Sequence, residues 1–221
     1  MQTSSSDHDL DVKPLLRGVF HQWTFFVSIA AGIALVVTAP SGRATVCACI
    51  YAVTISAMLG VSAAYHRISW PPAAEARMRR LDHTTIFFAI AGTYTPIALL
   101  VLHGAIEAIV LIAVWVGAIA GIIVEWLPVK PPRGYVTAVY VTLGWVAVIA
   151  MPQLLQEFST AALFGLIAGG VLYTVGAIAY GLKRPDPWPR VFGYHEVWHC
   201  FVIAAAVAHY CVIAFAVLPR G

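Results

Sequence analysis

Long apolar segments separated by short polar ones dominate the pattern of this chain. Seven segments contain no Asp, Glu, Lys or Arg: residues 23–40, 44–65, 84–102, 108–124, 135–155, 158–182 and 197–218. Each is close to or longer than the roughly 17–25 residues that a helix needs to cross a bilayer. The segments are continuously apolar rather than alternating, which excludes transmembrane strands. The pattern predicts an all-α fold, a seven-transmembrane helix bundle.

Composition supports a membrane protein. Hydrophobic residues make up 61% of the 221 residues and charged residues only 10%, whereas soluble domains carry about 25% charged residues. The net charge of +3 is small, and the basic residues lie between apolar segments, so nucleic acid is excluded as a partner. All four cysteines fall inside apolar segments, which argues against a disulfide framework. We expect a multi-pass protein of the cell (inner or plasma) membrane; the sequence indicates no oligomeric state.

Lysine and arginine residues are distributed unequally between the two sides of the predicted bundle. Eleven of the thirteen lie in the N-terminal segment and in the loops that follow spans two, four and six. The other side holds only Arg43 and Arg220. The positive-inside rule therefore predicts a cytoplasmic N-terminus and an extracytoplasmic C-terminus. We divide the chain into a short cytoplasmic N-terminal tail, residues 1–19, and a seven-helix membrane domain, residues 20–221.

Five polar residues lie near the predicted cytoplasmic ends of three spans. Ser62 and His66 are one turn apart at the end of span two, and Asp82 opens span three. His195 and His199, also four residues apart, open span seven. A lone interfacial histidine is commonly satisfied by a hydrogen bond, but ionisable groups at membrane depth are costly. The joint placement of all five at one depth favours a functional site.

The residue types in this set point to zinc. Three neutral imidazoles, from His66, His195 and His199, would bind the ion and leave a fourth tetrahedral position open, as in catalytic zinc sites. Asp82 would accept a proton from a water molecule at that position. Ser62 would orient the water or donate a hydrogen bond to a developing oxyanion. The sequence thus predicts three metal ligands and two catalytic residues.

The stretch GYHEVWHC, residues 193–200, also contains the H-E-x-x-H motif of zinc metalloproteases. In those enzymes the glutamate is the general base and a third ligand normally follows downstream. Only 22 residues follow His199, and the candidate third ligand, His66, lies upstream. A soluble protease is therefore disfavoured, although an intramembrane protease with Asp82 as a ligand stays open. We interpret Glu196 as a carboxylate that favours its helix N-terminus.

Four segments together resemble a known family. They are LLRGVFHQWTFF (15–26), SAAYH (62–66), LDHTTIFFAIAGTYTP (81–96) and FGYHEVWHCFVIAAAVAHY (192–210). They look like the hemolysin III branch of the progestin and adipoQ receptor family, whose wider superfamily includes adiponectin receptors and alkaline ceramidases. The resemblance implies seven helices with a cytoplasmic amino end. It also implies zinc held by His66, His195 and His199, with Ser62 and Asp82 matching the family's serine and aspartate.

Two hypotheses for the function follow. In the first, the protein is a zinc-dependent hydrolase of a membrane lipid, and the ceramidase resemblance implies an amide bond as the target. In the second, zinc is structural and ties spans two, three and seven together. The protein would then be a non-catalytic membrane-homeostasis or sensor protein, associated with cytolysis when overproduced. In both, the expected partner is a membrane lipid, as substrate or as ligand.

Overall fold

A computed structural model describes residues 13–128 and 134–221 of the protein. Its helices are α1 (Val19–Thr38), α2 (Gly42–Arg67), α3 (Pro72–Val101), α4 (Gly104–Trp126), α5 (Tyr135–Gly144), α6 (Ala147–Glu157), α7 (Thr160–Leu182) and α8 (Tyr194–Val212). Helix α8 is followed directly by a π-helical turn, Ile213–Val217, and a 3₁₀-helical turn, Leu218–Arg220. With α5 and α6 counted as one span, the described residues form seven spans long and apolar enough to cross a membrane. The predicted all-α seven-span bundle is confirmed.

Several helices extend past the charge-free segments from which they were predicted. Helix α3 begins at Pro72 rather than at residue 84, with proline in its first turn, where a missing N–H is tolerated. Asp82 therefore lies inside α3 and does not open it. Helix α8 begins at Tyr194, so both of its N-terminal histidines are helical. Charged residues at a span's end lie beyond the hydrocarbon layer, where they do not interrupt a helix.

Helix α3 forms the centre of the bundle. In its most apolar stretch 72% of the residues are buried, against 17–39% in the other six spans. It packs against α2 on one side and α4 on the other, and contacts α5. Large apolar side chains on the outer helices are exposed, among them Trp23, Phe164 and Phe215. An apolar exterior around a central helix is the arrangement expected of a bundle surrounded by lipid.

The fifth span is interrupted in its middle. Helix α5 ends at Gly144 and α6 begins at Ala147, whereas the apolar segment 135–155 predicted one continuous helix. The Tyr94 hydroxyl bridges the break, because it donates to Gly144 O (2.6 Å) and accepts from Ala147 N (2.8 Å). Non-helical backbone at membrane depth is tolerated only where protein groups or a cavity satisfy it. Helix α3 thus supplies the partner that allows span five to bend.

The segment before α1 packs against the loop between α7 and α8. Leu15 N donates to Arg190 O and Leu16 N to Val191 O, both at 3.0 Å. These hydrogen bonds attach the N-terminal segment to the loop at the end of the bundle where α2 ends and α3 and α8 begin. Of the predicted tail, residues 1–12 lie outside the described residues, as do Lys130 and Arg133 of the charge-asymmetry argument. The cytoplasmic placement of this end stays a prediction.

Candidate metal centre

Three histidines from two helices meet at this end of the bundle. His66 lies in the last turn of α2, and His195 and His199 lie in the first two turns of α8, one above the other on one face. The Nε2 atoms of His66 and His195 are 3.2 Å apart. One ring nitrogen from each of the three histidines lies within 4.8 Å of the others. The structure therefore brings together the three residues that the sequence predicted as metal ligands, and they could hold a metal ion.

The spacing of the nitrogens fits such an ion. Two imidazole lone pairs that face each other at 3.2 Å repel unless a proton or a cation lies between them. Two nitrogens bound to one tetrahedral ion at about 2.0–2.1 Å are about 3.3 Å apart. His66 and His199 are both buried, with 8% and 2% of their surfaces exposed. A set of three neutral imidazoles, two of them buried and His195 half-buried, is a donor set that a divalent transition metal favours.

Asp82 and Ser62 border the histidines without joining them. Asp82 Oδ2 lies 3.9 Å from His66 Nε2, too far for a hydrogen bond. The Asp82 carboxylate also lies beside the Ser62 hydroxyl. Ser62 is buried one helical turn before His66. The carboxylate and the hydroxyl therefore lie at the edge of the histidine cluster, close to the ligand nitrogens.

A fourth histidine, which the sequence analysis missed, completes the cluster. His21 is buried in the first turn of α1. Its Nδ1 lies 2.9 Å from Ser62 Oγ, and its ring stacks on that of His199 with centroids 3.8 Å apart and planes 13° apart. His21 lies two residues before the predicted first span, residues 23–40, and so fell outside it. It lies within the segment 15–26, which resembles the hemolysin III family, and that resemblance was the signal that could have identified it.

Glu196, the acidic residue of the H-E-x-x-H motif, accepts a hydrogen bond at each of its two carboxylate oxygens. Its Oε2 accepts from Gly193 N (2.7 Å) at the start of α8, and its Oε1 accepts from Arg17 Nε (2.5 Å). The side chain has no exposed surface. These contacts agree with a carboxylate that caps the helix N-terminus and anchors the preceding segment. Glu196 is also not among the residues that line the cavity beside the histidines, which disfavours it as the general base of a protease.

Two further histidines of the bundle, both half-buried, have partners elsewhere. His83 Nδ1 contacts Glu125 Oε1 at 3.0 Å. His209 Nε2 lies 3.1 Å from Leu166 O, a contact between α8 and α7. Neither residue belongs to the three-histidine group. Their positions agree with the rule that buried polar groups find hydrogen-bond partners.

A cavity of about 730 Å³ opens from the cluster into the bundle. Ser62, Asp82, His195 and His199 line it, and so do apolar residues of seven helices, among them Met58 (α2), Ile90 and Ile97 (α3), Val124 (α4), Val141 (α5), Val148 and Met151 (α6), Ile167 (α7) and Val202 (α8). The Tyr94-bridged break of span five also lines it. Its volume lies in the roughly 300–1,000 Å³ range of small-molecule sites. The polar cluster and a long apolar space thus form one continuous site.

Comparisons with known proteins agree with this architecture. The family model described as "Haemolysin-III related" matches residues 11–210. Hemolysin-3 of Bacillus cereus is 31% identical over 210 residues, 94% of this chain and 93% of that protein. The human monocyte to macrophage differentiation factor is 26% identical over 168 residues (74% and 67%). The adiponectin receptor protein of Drosophila melanogaster is 31% identical over 169 residues (69% and 38%). The chain therefore belongs to the hemolysin III family, is related to the progestin and adipoQ receptors, and is a multi-pass protein of the plasma membrane.

Proposed function

We propose that the protein is a zinc-dependent hydrolase that cleaves the amide bond of a membrane lipid. The observation that carries the proposal is a three-histidine group, a carboxylate and a hydroxyl at one end of an apolar cavity inside the bundle. His66, His195 and His199 would hold the ion. A zinc ion there would supply Lewis-acid chemistry that polarises a carbonyl group and makes a water molecule more acidic.

Asp82 is the proposed general base. Its carboxylate would take a proton from the attacking water and later pass it to the leaving amine nitrogen. The water oxygen then bonds to the carbonyl carbon, the carbon–nitrogen bond breaks, and the products are a fatty acid and an amine. The burial of Asp82 beside the histidines, without an ion pair to Lys or Arg among the described residues, supports this role.

Ser62 is the proposed hydrogen-bond donor to the developing oxyanion. A serine has a single proton to donate, so the direction of its contact with His21 matters. With a proton on His21 Nδ1, the imidazole would donate to Ser62 Oγ, and the serine proton would point to the Asp82 carboxylate beside it until the substrate oxyanion replaces that acceptor. The stack of His21 on His199 fixes the ring in place for that contact. His21 is therefore a positioning residue.

A non-catalytic role is the second candidate. Helices α2 and α8 share few contacts beyond the histidines, so a metal ion would tie together two helices that otherwise pack on other neighbours. In that case zinc is structural, and the protein senses or adjusts the state of the membrane. The relationship to hemolysin-3 of Bacillus cereus leaves room for cytolysis as an effect of overproduction.

The experiment measures zinc and hydrolysis on the same purified protein. We expect about one zinc per chain, lower occupancy in His66→Ala, and unchanged occupancy in the control His83→Ala, whose imidazole pairs with Glu125. A panel of ceramides, N-acyl amino acids and phospholipids is then tested with and without a chelator. Zinc-dependent release of fatty acid from an amide lipid supports the hydrolase. A melting temperature that falls on chelation, with no hydrolysis of any lipid, supports the structural role.

A further inference from the structure

Two arginines line the polar mouth of the cavity. They are Arg79 and Arg80 of α3. Arg79 is three residues before Asp82, so it lies on the same face of the helix, about 4.5 Å closer to the end of the bundle. Arg77, on the same helix, does not line the cavity. A positive charge is thus placed about one helical turn beyond the carboxylate that borders the histidines.

Neither arginine has an ion-pair partner among the described residues, but only Arg79 also lacks a hydrogen bond or a ring contact there. Arg80 donates to Trp126 O (3.1 Å), and its guanidinium lies 5.9 Å from the centre of that indole ring. Glu125, the second carboxylate that lines the cavity, is paired with His83 at 3.0 Å. Arg79 is within 4.0 Å of no described carboxylate. Its charge is therefore available to a ligand in the cavity.

We propose that the site selects single-chain lipid amides with an anionic head group, of the N-acyl amino acid class, and that Arg79 binds their carboxylate. The inference rests on the proposed function. In such a molecule one carbon separates the amide nitrogen from the carboxylate. An amide at the histidine cluster then places its carboxylate within reach of a side chain one turn away. The planar guanidinium suits a carboxylate because it offers two parallel donors.

The head group decides selectivity for a physical reason. A substrate's acyl chain leaves lipid for an apolar cavity, two environments of similar polarity, so chain burial adds little binding free energy. A charge at the mouth works differently: Arg79 is exposed there, and its guanidinium offers an anionic head group a charge-assisted hydrogen bond that a neutral head group cannot form. The volume of about 730 Å³ suits one chain and a small head group.

The test compares two amides that share an acyl chain. N-oleoylglycine is anionic, and N-oleoylethanolamine is neutral. In nanodiscs of phosphatidylcholine we expect kcat/KM for the anionic amide to be at least about tenfold higher, the effect of one charged hydrogen bond. Arg79→Gln should remove that difference through KM for the anionic amide. Arg77→Gln is the matched control, since it removes a charge from the same helix outside the cavity.

Direct binding separates this inference from the proposed function. Equilibrium binding of both amides is measured for the wild type, Arg79→Gln and Arg77→Gln. Binding of N-oleoylglycine about tenfold weaker in Arg79→Gln alone supports the inference even if no amide is hydrolysed, a result that would sink only the hydrolase. Equal affinity of the wild type for the two amides, or an unchanged affinity in Arg79→Gln, overturns the inference. Hydrolysis of both amides at equal rates would also overturn the inference about Arg79, but it would support the proposed hydrolase function.

Discussion

Asp82 borders the histidine cluster without touching it, and the Asp82→Asn substitution therefore separates chemistry from metal binding. Asp82 Oδ2 lies 3.9 Å from His66 Nε2, close enough to reach a water molecule on a bound ion but too far for a hydrogen bond to the imidazole. Asn has nearly the shape of Asp and can still hydrogen-bond that water, but it cannot take its proton. We expect zinc content and melting temperature to stay close to those of the wild type. Turnover of the amide lipid should fall by about 10²- to 10⁴-fold, the usual effect of losing a general base.

That loss corresponds to about 2.7–5.4 kcal/mol of transition-state free energy, at 1.36 kcal/mol for each tenfold change in rate. The assay measures zinc by elemental analysis, melting temperature, and fatty-acid release on one preparation. Glu125→Gln is the matched control, because Glu125 lines the same cavity but is paired with His83. It should keep most of the activity.

Two results would refute the reasoning about Asp82. If Asp82→Asn loses zinc as completely as His66→Ala, the carboxylate is a direct ligand, and the intramembrane-protease alternative regains weight. If Asp82→Asn hydrolyses the lipid at the wild-type rate, another group is the base. A loss of activity together with a much lower melting temperature would instead show that Asp82 holds the fold.

Three further predictions concern the bundle itself. Tyr94→Phe removes both hydrogen bonds across the break in span five. We expect the free energy of unfolding, measured with denaturant, to fall by about 2–4 kcal/mol; an unchanged value would mean that water hydrogen-bonds the backbone groups at the break. Glu196→Ala leaves Arg17 without its ion-pair partner and Gly193 N without its hydrogen-bond acceptor. This should lower the free energy of unfolding by about 3 kcal/mol and lower the melting temperature. Reporter fusions should place the N-terminus in the cytoplasm and the C-terminus outside; both on one side would contradict seven spans.

The sequence predicted the site from the order in which the spans cross the membrane, not from contacts between side chains. Seven apolar segments of spanning length place the end of span two and the starts of spans three and seven on one side of the bundle, whatever the details of packing. The three predicted ligands, Ser62 and Asp82 lie at that side in the structure. The same topology places His21, at the start of span one, on that side, but its role depends on a stack against His199 and a contact with Ser62, which the order of the spans does not reveal. Neither partner is near it in sequence.

Apolar length and the placement of charged residues determined the number of spans, their order and the depth of the polar residues, because a bilayer acts on each segment locally. Tertiary structure alone decided the rest. The rotation of each helix is set by its neighbours, since lipid offers no preferred face to an apolar helix. Packing therefore decided that α2 and α8 bring His66 and His195 to 3.2 Å. It also decided that Tyr94 meets the break in span five and that a cavity joins the histidines to Arg79.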